Sequence, residues 1–270
     1  MILVIWFHKG RIPDGPWPFL SVTYNGLRSI EDNFSTDIDL TEGLGGISIT
    51  GRMQAYRKAL LHRVLDLTKG VVVCWNERAL LGSLVCARSL LETLAIFHSF
   101  LKRADKKAKA KEWQTLSRLV DAYAFSTSSG PDKKNKSPES PPRVGEAVIE
   151  FIKRTQQDKE QFWEQICDEA HPNGKKMMVF GGLLKDLQYI DVPIEENERR
   201  LFPAVYNSLY SCCWLVGAML DFDILLEEIR YGGDLPDDHE LVVKRNQIDK
   251  VVDELAPKIN FDLTKRMRNR

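Results

Sequence analysis

The stretch Asn76 to Arg103, NERALLGSLVCARSLLETLAIFHSFLKR, restricts the fold of this chain more than any other. Stepping about 100° per residue around a helix from Leu81, Leu84, Val85, Ala95 and Ile96 share one stripe, while Leu90, Leu94, Phe97 and Leu101 fall on the opposite side. A helix apolar on both sides has to be covered on both sides, so this segment predicts a central helix packed by neighbours all round. Arg88 and Glu92, one turn apart, land in the middle of the first stripe. Charges there are costly unless paired and hydrogen-bonded, which makes these two residues candidates for more than packing.

At 270 residues the chain is long enough to bury a sizeable core, and one main domain with appendages is expected. Its 38 basic residues balance 38 acidic ones, so no global field favours nucleic acid or an anionic membrane. The five cysteines lack CxxC spacing and read as buried, reduced thiols of a cytoplasmic protein, without a zinc site or disulfide framework. The apolar opening MILVIWF has no basic region before it and is too short for a signal core. The run from Cys212 to Leu220 falls far below the roughly 20 apolar residues of a membrane helix, so no membrane association is expected.

Along the chain, Ile2 to Phe7 and Phe19 to Tyr24 read as strands around the turn-forming Pro13, Gly15, Pro16 and Pro18. Residues 1–48 are therefore expected to carry a short amino-terminal β-hairpin or strand pair and a glycine-rich linker. In that linker EGLGGIS lacks the Lys-Ser or Lys-Thr of a phosphate loop. From Ile49 to about Leu67 an apolar face of Met53, Tyr56, Leu60, Leu61, Val64 and Leu65 predicts a helix, with Gly70 as its stop. After the central helix, Leu116, Leu119, Val120 and Tyr123 form another stripe, and STSSGPDKKNKSPESPP reads as a disordered loop over about 126–142. Further helices are expected over about Val144 to Ala170, about Glu195 to Ile229 ending at Gly232–Gly233, and about Asp237 to Leu255. The fold class is thus mainly α: an antiparallel helical bundle over 49–256, with 257–270 a carboxy-terminal tail.

For chemistry, the sequence has no His-Glu-x-x-His, no paired Cys and no acidic doublet at ligand spacing, so neither a metal nor another cofactor is expected. Trp163 and Trp214 read as core, His98 as a boundary residue, and the basic run Lys102 to Lys111 as a solvated face. Two pieces stand out together: ARSLLETLA at 87–95 and CDEAHPNG at 167–174. They resemble an uncharacterised bacterial helical family with an Arg-Ser-Leu-Leu-Glu helix and a His-Pro-Asn corner, itself similar to the HEPN group of helical bundles. Some members of that group are ribonucleases of toxin–antitoxin and phage-defence systems. The resemblance implies that an Arg, with a His four to six residues on, forms a metal-independent site across a homodimer, His as acid or base and Arg on the charged phosphorane.

One such pair exists, Arg57 and His62 in RKALLH, with Lys58 where the group usually has Asn, Asp or His. Its five-residue offset separates the side chains by about 140° on a regular helix. The rival site is Arg88 and Glu92 with His171, either a polar pocket in which Glu92 orients His171 and Arg88 binds an anion, or an ion pair with a capping histidine. Two functions are carried forward. One is a helical module of a bacterial defence or stress system that binds a partner protein or RNA. The other is a HEPN-like ribonuclease.

Overall fold

The structure, a computed structural model, describes residues 6–14, 17, 19–32, 48–124, 137–155, 160–170, 183–185, 188–190 and 193–250. It is mainly helical. In chain order come α1 (Leu20–Asp32), α2 (Ile49–Asn76), α3 (Leu80–Lys109), α4 (Trp113–Ala124), α5 (Val144–Thr155) and α6 (Glu160–Ala170). A two-stranded antiparallel ribbon follows, β1 (Leu183–Lys185) and β2 (Gln188–Ile190), with Leu183 opposite Ile190. Then come α7 (Ile194–Tyr210) and α8 (Cys212–Tyr231), which meet at Ser211, and α9 over 240–250.

The central position of α3 follows from its apolar pattern. It packs against α2, α4, α5, α6, α7 and α8, and Leu84, Ala87, Leu90, Leu91, Leu94, Ala95, Phe97 and Phe100 are fully buried on it. Phe97 meets Tyr56, Trp214 and Phe222 at ring separations of 6.3, 6.0 and 6.0 Å, and Phe100 meets Tyr56 at 4.9 Å and Tyr123 at 5.3 Å. Edge-to-face and tilted pairs of this kind add about 0.5–1.5 kcal/mol each beyond their burial. The first stripe is not uniformly covered, however: Leu81 and Val85 are 48% and 46% exposed. By length and composition alone, Leu80–Lys109 and Ile194–Tyr231 are apolar enough to cross a membrane, but half of each apolar window is buried inside the fold.

Helix α2 does not stop at Gly70. It continues through the β-branched Val71, Val72 and Val73 to Asn76, because Val71, Val72 and Trp75 are buried without residual exposure on the core side. A mid-helix glycine costs about 1 kcal/mol, which that burial outweighs. Both long helices end in the same way. The N–H of Ala79 reaches the carbonyl of Cys74 at 2.8 Å, and that of Glu112 reaches Lys107 at 3.0 Å. Arg78 and Lys111, with φ of 60° and 54°, occupy the left-handed position that such caps usually give to glycine. Gly232, at φ 73°, closes α8 as its sequence position suggests. Ser48 caps the start of α2 by accepting from the Gly51 N–H at 2.9 Å.

The amino-terminal strand pair is not found among the described residues. Residues 1–5 lie outside the described residues, 6–14 have no regular structure, and Phe19 to Tyr24 belongs largely to α1. The alternation that suggested a strand also fits a helix that buries Leu20, Thr23 and Leu27, three and four residues apart, against α7 and α8. Of the expected 126–142 loop only 137–142 is described, and Arg103 binds the carbonyls of Pro138 and Ser140 there.

The segment before α1 is held to the end of α2 by Asn76, which donates to the Trp6 carbonyl at 3.2 Å and accepts from the His8 N–H at 3.0 Å, and by Arg11. Arg11 donates to the terminal carbonyls of α2, Trp75 at 2.9 Å and Asn76 at 3.2 Å, and to the buried Glu198 of α7 at 2.6 Å. In return the Trp75 indole N–H donates to the Arg11 carbonyl at 2.8 Å. Removing one partner of a buried pair costs about 3–5 kcal/mol when the other charge is left alone, but Glu198 also lies 3.7 Å from the Arg78 guanidinium. Arg11→Ala is therefore expected to lower urea-unfolding stability by less than that, about 1–3 kcal/mol. Arg11→Ala with Glu198→Ala should lose less than the sum of the two single changes.

Candidate functional site

The Arg57–His62 pair does not converge. Arg57 is half-buried and turns toward α8, where its guanidinium meets the Asp223 carboxylate at 3.2 Å. His62 sits on the exposed side of α2. This is the separation that a five-residue offset imposes on an undistorted helix, and α2 is regular across it. Burial pushes the Asp223 carboxyl above its ordinary value, while the Arg57 charge opposes that shift. The pair fastens α2 to α8.

Arg88 and Glu92 do bond to each other, Nε to Oε1 at 2.9 Å, but not in the middle of the core. Their side chains are 27% and 28% exposed, on the margin that also carries Leu81 and Val85. The Arg88 guanidinium lies 5.6 Å from the Trp163 ring centre on α6, a cation–π contact across the α3–α6 seam. One turn further along α6, burial pushes the Cys167 thiol up, with Arg88 acting against that shift and Glu92 with it. Arg88, Glu92, Trp163 and Cys167 thus form a half-buried polar cluster. An i,i+4 pair at this exposure is worth a few tenths of a kcal/mol. His171, with Pro172 and Asn173, lies outside the described residues, so the third member of the candidate set has no described position.

Two concave surfaces stand elsewhere. A cleft of about 330 Å³ is lined by Arg78 to Gly82 at the α2–α3 turn and by Ile194 and Asn197 of α7. A shallower groove of about 430 Å³ lies between Ile49 and α4, lined by Trp113, Gln114, Ser117 and Arg118. Neither contains Arg57, His62, Arg88 or Glu92. Within the basic run, Lys102 pairs with Glu150 at 2.5 Å, Lys107 with Glu112 at 2.6 Å and Lys109 with Asp105 at 2.9 Å. No group of three or more His, Cys, Asp and Glu side chains is placed to hold a metal among the described residues. Of the five cysteines only Cys212 is fully enclosed; Cys74, Cys86, Cys167 and Cys213 are half-buried, a correction to the expectation of five buried thiols. Comparison with protein-family models, with curated proteins and with solved structures returns no match.

His98 is the residue most misplaced by its sequence context. It is 3% exposed, with Phe151 at 5.6 Å and Trp214 at 5.5 Å from its ring. Its Nε2 lies 3.3 Å from the Arg154 guanidinium, and its Nδ1 has no partner among the described residues. Burial, reinforced by Arg154, pushes its pKa down to about 4. Because the folded value lies below the unfolded one, the unfolded chain takes up the proton first as pH falls below about 6.5. Stability is therefore complete above that value and is lost between about 6.5 and 4. From pH 7 to pH 5 the wild type should lose roughly 1–2 kcal/mol more in urea unfolding than His98→Gln.

Proposed function

We propose that the protein is a non-enzymatic helical module of a bacterial defence or stress system, acting in the cytoplasm by binding a partner. The observation that carries this reading is how the candidate catalytic side chains are used. Arg57 is paired with Asp223 and turned away from His62, and Arg88 is paired with Glu92. The assignment to a defence or stress system rests on the likeness of ARSLLETLA and CDEAHPNG to the HEPN-like helical family. The half-buried apolar windows of α3 and of α7–α8 are read as core rather than membrane spans.

A protein partner suits the surface better than RNA. Charge is balanced overall, and Lys102, Lys107 and Lys109 already have acidic partners. The α2–α3 tip instead offers Val73, Leu81 and Val85, 37%, 48% and 46% exposed. The 330 Å³ cleft shares Leu81 with this patch.

A second reading, a metal-independent HEPN-like ribonuclease acting through Arg88, Glu92 and His171, is favoured by one feature. Arg88 and Glu92 already reach the last turns of α6, and His171 follows Ala170, the final residue of that helix. Incubation of the protein with total RNA in EDTA separates the two. A binding module leaves RNA intact at every protein concentration. Cleavage abolished by Arg88→Ala and by His171→Ala, with His62→Ala active, would establish the enzyme; abolition by His62→Ala would move the site to Arg57 and His62. Light scattering on the same samples reports whether the homodimer required by the enzyme is present.

A further inference from the structure

The cleft at the α2–α3 turn collects hydrogen-bond donors that the fold itself leaves unused. Helix α3 begins there with no capping side chain and no acidic residue in its first turn. The first N–H of that helix to find a carbonyl is Ser83, which donates to Ala79 at 3.1 Å. The N–H groups of Leu80, Leu81 and Gly82, all of which line the cleft, are therefore left at the open helix end. Helix α7 supplies the facing wall through Ile194 and Asn197, and it too starts without a side-chain cap. Asn197 is 3% exposed. Its Oδ1 accepts from Arg200 at 3.3 Å, which leaves the amide nitrogen, with no acceptor among the described residues, to face the cleft. Arg78 stands at the rim, 3.4 Å from Glu195 and 3.7 Å from Glu198. Glu198 is already met by Arg11, and Glu195 is exposed, so an incoming anion displaces only a surface carboxylate from Arg78.

We propose that this cleft takes the free carboxylate at the end of a partner's chain whose last residue is apolar, an assignment that rests on the partner-binding reading above. Orphaned N–H groups and the positive end of the helix dipole favour an anion at the start of α3. Capture of a terminal carboxylate by backbone N–H groups is a general mode of peptide recognition. Asn197 adds a side-chain donor from the facing helix, and Arg78 adds the balancing charge. Leu80, Leu81 and Ile194 form the apolar part of the lining, so the side chain of the last residue is received beside its own carboxylate. A volume of about 330 Å³ admits one residue of that kind. An acidic side chain within a chain would instead press its peptide groups, unpaired, against those apolar walls. Leu81, half exposed, continues the lining toward Val85, which gives the preceding residues of the partner an apolar surface to follow.

The test follows the isotope-labelled, full-length protein by amide-resolved NMR while N-acetyl-leucine is added, with N-acetyl-leucinamide and inorganic phosphate as comparison probes. N-acetyl-leucine is expected to shift the Leu80, Leu81 and Gly82 amide resonances saturably. The uncharged amide should bind at least about tenfold more weakly, and phosphate more weakly too, because it leaves the apolar lining unfilled. Arg78→Gly removes the guanidinium at a position whose φ of 60° suits glycine, so the fold is kept. It should weaken N-acetyl-leucine binding by at least about tenfold, while Arg118→Ala in the other groove leaves binding unchanged. Equal affinity for acid and amide overturns the proposal, as do undiminished binding in Arg78→Gly and the absence of saturable shifts at residues 80–82. Phosphate bound as tightly as N-acetyl-leucine overturns the assignment to a chain end. The binding-module reading is refuted by RNA cleavage and this assignment by the missing shifts, so the two failures are told apart.

Discussion

The burial of α3 on almost every side sets the conditions for the rest of the bundle. Its Phe97 and Phe100 rings reach Tyr56 on α2, Tyr123 on α4 and Trp214 and Phe222 on α8, so a single aromatic cluster joins four helices. A helix used in this way has little margin left for polar side chains. The buried Ser83 and Ser99 hydroxyls bond to the Val71 carbonyl and the Tyr123 hydroxyl, whereas larger polar groups are placed at its edges, as Arg88 and Glu92 are, or enclosed without full hydrogen bonding, as His98 is. The edge position costs little because water still reaches the pair. The enclosed position makes stability depend on the ring staying neutral.

Much of this was legible in the sequence. The two-sided apolar pattern of residues 81–101 identified the central helix, and the stripe from Met53 to Leu65 identified its antiparallel neighbour. Two errors have a common origin. Gly70 looked like a stop and Phe19 to Tyr24 like a strand because local signals were read without the partner surface. Close approach to α3 holds Gly70 in a helix, and packing on α7 and α8 draws residues 20–32 into another.

The candidate sites were less legible than the fold. A helical wheel places Arg88 and Glu92 on an angle but does not say which angles neighbouring helices leave uncovered, and the exposure of Leu81 and Val85 shows that this one is partly open. His98 carried a readable signal, lying four residues after Leu94 and three before Leu101 on a buried face, yet its nearness to Lys102 and Arg103 suggested a surface. The packing of each cysteine against the facing helix's glycine also left a trace: Gly70 and Cys74, and Gly82 and Cys86, share one spacing. That repeat becomes meaningful only once the helices are known to run antiparallel and in this register.

The Arg11 clasp has a consequence for how the chain comes together during synthesis. The bond from Arg11 to Glu198 spans 187 residues, so this part of the clasp cannot close until α7 has left the ribosome. Until then the carbonyls of Trp75 and Asn76 have no guanidinium from Arg11 balanced by Glu198, and the α2–α3 hairpin has to stand on its own packing. The clasp thus joins two side chains that are made far apart in time.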